Sequence, residues 1–126
     1  MNLLLDSHAL LWWLESEDPR LPSSARDAVA AQGNSVTVSA ASVWELCVKQ
    51  GAGRLEIGGN LLAEIAANGF QPLPISLEHG SAAGRLPLHH RDPFDRMLVA
   101  QAQIEGLTIV THDRKIGLYD VPVLWD

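Results

Sequence analysis

Three short apolar runs constrain the fold of this chain more than any other feature: Leu3-Leu4-Leu5, Val36-Thr37-Val38 and Leu107-Thr108-Ile109-Val110, with helical patterns between them. Neighbouring residues of a strand point to opposite sides of its sheet, so a strand apolar at successive positions must be covered on both faces. Such strands alternating with helices predict an α/β fold, a three-layer α/β/α sandwich around a central, mainly parallel sheet. The 126 residues, 47% hydrophobic and 19% charged, are enough for one such core. No internal repeat and no Pro/Gly-rich linker divides them, so a single domain over residues 1–126 is expected.

Cap and turn residues set the element boundaries. A helix is expected over His8–Leu14, and another, capped by Ser23 or Ser24, running through Ala31 to a stop at Gly33. Ser39 is placed to cap the helix that contains Trp44 and Glu45. Gly51 to Gly59 reads as a turn region, and Leu61–Ala67 as a short helix. Pro74 limits Leu73–Ile75 to an edge or irregular strand, and a weaker helix follows near Leu77–Gly84. The clearest helix is Pro93–Glu105, with Asp92 at its cap and Gly106 at its stop, and a last strand falls near Val123–Leu124.

In parallel α/β sheets ligands bind beyond the carboxyl ends of the strands, and there the acids stand. Asp6 follows the first strand and Asp113 follows the strand ending at Val110. Asp92 and Asp95 open the helix that feeds that strand, and Glu45 lies in the helix after the second strand. Carboxylates gathered at an apolar boundary repel one another and resist ionisation unless cations neutralise them. An all-oxygen set favours a hard ion, Mg²⁺ or Mn²⁺, and such a centre suits hydrolysis of a phosphodiester. Ser7, Thr111, Arg91 and Arg96 flank the acids as candidate phosphate-binding groups. The net charge of −6 argues against a module that holds nucleic acid by general attraction alone, because bound cations would first have to offset it.

The blocks Leu3-Leu4-Leu5-Asp6-Ser7-His8, Val38-Ser39-Ala40-Ala41-Ser42-Val43-Trp44-Glu45, His90-Arg91-Asp92-Pro93-Phe94-Asp95-Arg96-Met97-Leu98-Val99-Ala100 and Val110-Thr111-His112-Asp113 resemble the PIN-domain family. They stand in that family's order and span nearly the whole chain. The resemblance implies the α/β/α sandwich and cleavage of RNA by a metal-activated water. It points to the VapC-like toxins of type II toxin–antitoxin pairs, and so to a cognate antitoxin and a homodimer as partners. By position it makes Asp6, Glu45, Asp95 and Asp113 the catalytic and metal-binding acids, with Asp92 an extra acid of the Asp-Pro-Phe-Asp subgroup. Ser7 replaces a frequent Thr and keeps its hydroxyl. Some relatives have Asn where this chain has Asp113 and an acid three residues later, where this chain has Ile116.

Plainer roles exist for several of these residues. Asp92 and Asp95 complement a helix start without any metal, and Asp113 could cap a short helix through Leu118. Cys47 is expected in the core, Lys49 and Arg54 on a solvated face, and one of Trp12 and Trp13 pointing outward. His8, His89 and His90 lack zinc-like spacing and are expected at the surface or as supports to the acids. The chain has no apolar run long enough to span a bilayer, and Asp6 comes too early for a signal peptide, so a cytoplasmic location is expected. Two other functions are open: a phosphatase with an aspartyl nucleophile, which would want an acid at His8, and a PIN-like protein that binds a partner or RNA without cutting.

Overall fold

A computed structural model describes all residues, 1–126. The chain runs β1 (Asn2–Leu5), α1 (Ser7–Leu14), α2 (Ser23–Ala30), β2 (Ser35–Ser39), α3 (Ala40–Gly51), α4 (Leu61–Ala67), β3 (Gln71–Leu73), α5 (Leu77–Arg85), α6 (Pro93–Glu105), β4 (Thr108–Val110), a 3₁₀ turn (Ile116–Leu118) and β5 (Val123–Leu124). The five strands form one sheet in the order β3-β2-β1-β4-β5, and every pairing is parallel. The expected sandwich is therefore observed. No helix is long and apolar enough to cross a membrane.

Leu3, Leu4 and Leu5 are all fully buried, and they serve two different cores. Leu3 and Leu5 join Leu10, Ala25, Val29 and Phe70 on one face of the sheet. Leu4 joins Leu98, Val99, Ile109 and Ile116 on the other. Each buried Leu is worth about 1.5–3 kcal/mol, which is why a central strand of three leucines anchors both helical layers.

From β1 the chain builds outward through β2 to β3, then returns to set β4 on the other side of β1. The order reverses between β1 and β4, and at such a reversal the loops part and leave a crevice at the carboxyl edge. The turns bordering it are held by local hydrogen bonds. Asp6 caps α1 by accepting from the Ala9 amide, Ser39 caps α3 by accepting from Ala41, and Asp92 caps α6 by accepting from Phe94 and Asp95. Gly106 ends α6 at φ 70°, a left-handed turn that glycine makes without a Cβ penalty.

Some local expectations are corrected. Helix α2 takes Pro22 at its cap position with no side-chain bond, and Ser24 instead donates to the Trp125 carbonyl. Strand β3 lies at Gln71–Leu73, earlier than expected, though it is an edge strand and tolerates Pro72. Cys47 is exposed, because α3 buries Ala41, Ser42, Glu45 and Leu46 and turns Cys47 to the opposite side. Trp12 is buried and Trp13 is half-buried with its indole N–H donated to Asn68, so neither projects freely. The exposed indole is Trp44.

Candidate metal centre

Ten polar residues line a cleft of about 210 Å³ at this crevice, among them Asp6, Glu45, Asp92, Asp95 and Asp113. They come from the end of β1, the middle of α3, the start of α6 and the loop after β4. All five acids singled out in the sequence thus meet in one place. Ser7 lines the cleft too, whereas Arg91 and Arg96 do not. The Arg96 guanidinium instead donates to the carbonyls of Ala83, Leu86, Pro87 and His90, tying the α5–α6 loop together. Thr111 lies beneath, buried, as a support for its neighbours. Its Oγ accepts the Asp113 amide at 3.0 Å, and its hydroxyl favours the ionised form of the Asp6 carboxyl.

Burial decides the electrostatics. Asp6 is 4% exposed and Glu45 6%. Desolvation pushes the Asp6 carboxyl above its ordinary value, against the pull of Thr111, the Ala9 amide and the imidazoles of His8 and His112. Asp95 is pushed up to about 7, by burial first and then by the charges of Asp92 and Glu45. Asp113 is also raised by burial, but the hydrogen bond from His90 and the backbone amides of Lys115 and Ile116 outweigh this and hold it below the ordinary range. Ile116 is fully buried in the core, so at this corner Asp113 is the carboxylate that reaches the cleft.

Two residues do more here than the sequence suggested. Lys49 was expected on a solvated face, yet its ammonium donates to Glu45 Oε2 at 2.8 Å and lines the cleft. Glu45 and Lys49 are four apart on a helix, a spacing at which side chains meet, so this pairing was readable. His90 is buried, with Nε2 2.9 Å from both Asp95 Oδ2 and Asp113 Oδ2. Its Nδ1 accepts the Asp92 amide at 3.2 Å, so in the neutral ring the proton sits on Nε2 and is shared between the two carboxylates. A ring so engaged supports the acids and does not offer Nε2 as a ligand. His89 is exposed, and its ring packs edge-on against Tyr119.

One atom tests whether a cation suits the cleft. Glu45 Oε1 is buried and has no hydrogen-bond partner, the one such side-chain atom in the protein. A buried carboxylate oxygen without a donor costs about 1–3 kcal/mol or more, and a divalent ion would satisfy it. The oxygen-rich donor set and this unpartnered oxygen fit Mg²⁺ or Mn²⁺.

Comparison with known proteins finds relatives over nearly the whole chain. The pattern of the PIN domain family matches residues 3–123. Ribonuclease VapC22 of Mycobacterium tuberculosis is 29% identical over 124 residues, covering 96% of this chain and 94% of the relative. Among solved structures, VapBC2 from Rickettsia felis, bound to a DNA fragment from its promoter, superposes with a TM-score of 0.72 at 16% identity over the whole of both chains. A toxin–antitoxin complex from Klebsiella pneumoniae does so with a TM-score of 0.68 at 17% identity, over 97% of this chain and 95% of that one.

Proposed function

Because the chain belongs to the PIN domain family, we propose that it is a divalent-metal-dependent endoribonuclease, the toxin of a toxin–antitoxin pair, with the acid cleft as its active site. The observation that supports this most directly is the convergence of Asp6, Glu45, Asp95 and Asp113, with a buried Glu45 oxygen lacking any donor. These four carboxylates would hold Mg²⁺ or Mn²⁺, with Asp92 alongside. When bound, such an ion supplies an acidified water and neutralises charge on the phosphate. The chain's own groups do the rest. The Ala9 amide fixes the Asp6 carboxyl, and the His90 N–H holds Asp95 and Asp113 at one spacing. Lys49 stands at the rim, where its ammonium can pass from Glu45 to a phosphate oxygen. Ser7, at the first turn of α1, presents a hydroxyl to the same space.

A cognate antitoxin and RNA are the partners this reading requires. Its support is the ribonuclease name of the M. tuberculosis relative and the toxin–antitoxin complexes among the structural neighbours. A homodimer is part of the same proposal, as the resemblance to the toxin branch of the family implies. An aspartyl-phosphate mechanism is disfavoured, since the residue two after Asp6 is His8 and not the second carboxylate such an enzyme would want.

The test is cleavage of labelled single-stranded and hairpin RNAs by the purified chain in Mg²⁺, Mn²⁺ or EDTA, beside Asp6→Asn. Cleavage is expected to need the ion and to fall at least about a hundredfold in the variant. Cleavage that survives both EDTA and Asp6→Asn would overturn the mechanism.

A further inference from the structure

Next to the acid cleft lies a second concavity of about 250 Å³, walled chiefly by His8, Trp12, Arg20, Lys49, Arg54 and Leu55. The two share His8 and Lys49 as a common wall. Their linings differ. The second has no carboxylate in its lining and holds three of the chain's nine Lys and Arg side chains.

Its three cations are not equivalent. Arg20 is tied to Asp18 at 2.6 Å and Glu15 at 3.3 Å, and lies over the Trp12 ring at 4.9 Å. It is a fixed part of the wall. His8 stacks nearly parallel on the same indole, with centroids 5.2 Å apart, which makes the wall flat and rigid. Lys49 is shared with Glu45. Arg54 is exposed and makes no ion pair, and its backbone N–H bonds the Lys49 carbonyl at 2.9 Å, which fixes its position just beyond α3. One uncommitted guanidinium therefore stands at the rim of an aromatic, acid-free cleft.

An RNA strand is a continuous row of anions. With one phosphate over the acids, its neighbours are repelled by the rest of a chain whose net charge is −6, except where cations gather. We propose that this second cleft receives the nucleotide adjacent to the scissile phosphate of a single-stranded RNA. Arg54 and Lys49 hold its phosphate, and the half-buried His8 ring, backed by the buried Trp12, lies with Leu55 against its sugar and base. An unpaired strand leaves its sugar and base free to meet such a wall. The assignment rests on the reading of the acid cleft as a ribonuclease site.

The experiment is fluorescence anisotropy of a labelled single-stranded oligoribonucleotide in Mg²⁺, with the full chain carrying Asp6→Asn so that cleavage does not intervene. Adding Arg54→Gln is expected to raise Kd about tenfold and to flatten the salt dependence of log Kd by about 0.7. Arg54→Lys recovers most of the affinity, since it keeps the charge. Arg85→Gln, the same charge change at the far end of α5, is expected to move Kd less than about twofold. Equal effects of Arg54→Gln and Arg85→Gln, or none from either, would overturn the proposal. So would Arg54-dependent binding of an acidic peptide with no Arg54 effect on RNA, which would assign the cleft to a protein partner. Arg54-dependent RNA binding in a chain whose wild type cleaves no RNA would strike the ribonuclease reading and keep the second cleft only as a strand-binding site, so the two failures are distinguishable.

Discussion

His90 commits both ring nitrogens to the acid cluster, one to the Asp92 amide and one to Asp95 and Asp113 together. It thereby holds two carboxylates at a common distance when no cation does so. Outer partners that orient ligating groups typically change metal affinity 10–100-fold when lost. His90→Ala is accordingly expected to weaken Mn²⁺ binding at least about tenfold by titration calorimetry, while His90→Gln, which can still donate one N–H, retains part of the affinity. An unchanged Mn²⁺ affinity in His90→Ala would show that the acids keep their arrangement unaided. The main-chain N–H of His90 donates to the Tyr119 hydroxyl, and its carbonyl accepts from Arg96, so the ring's position depends on residues well outside the cleft.

At the scale of elements, β1 does two jobs with three residues. Its leucines fill both cores, and its end sets Asp6 at the reversal of strand order. Leu4→Ala removes a fully buried side chain packed among Leu98, Val99 and Ile109, and is expected to cost about 3 kcal/mol in urea unfolding. A loss below about 1 kcal/mol would mean that the sheet centre relaxes around the gap, contrary to a rigid β1. Helix α3 joins the layers differently. Ala41 at its start packs in one core and Leu46 in the other, which leaves Glu45 at the edge between them, facing the cleft.

For the molecule as a whole, gathering acids under burial makes stability depend on protons and cations. The Asp95 carboxyl rises from 3.8 to about 7 on folding, so the folded state binds its proton more tightly than the unfolded chain does. Its contribution is complete below about pH 4 and is lost as pH rises through about 7. Asp6, also raised by burial, acts with the same sign. Without divalent ions, the Tm of the wild type is therefore expected to fall between pH 5 and 7.5 relative to Asp95→Asn, by on the order of 5 °C. Mg²⁺ is expected to restore it at the upper end, since the ion replaces the proton. A wild-type Tm that does not fall relative to the variant over this range would show that the cluster is not strained by its own charge.

The sequence by itself determined the layered architecture, because runs such as Leu3-Leu4-Leu5 have no stable place except a strand covered on both faces. It also determined where the acids stand along the chain, since Asp6, Asp92 and Asp113 follow or cap elements whose ends are set by local hydrogen bonding. Local pattern could not show which side chains near those acids turn toward them. Lys49 and Arg54 look alike as surface cations in the sequence, and Arg96 looks like a phosphate group beside Asp95. Only the packing of α3, α5 and α6 gave Lys49 to Glu45, left Arg54 unpaired and turned Arg96 to backbone carbonyls. The burial of His90 is likewise tertiary, for it depends on Tyr119, which lies 29 residues away in sequence and follows the next strand. Side-chain direction at a loop is decided by which long-range partner satisfies it first, and no local periodicity records that choice.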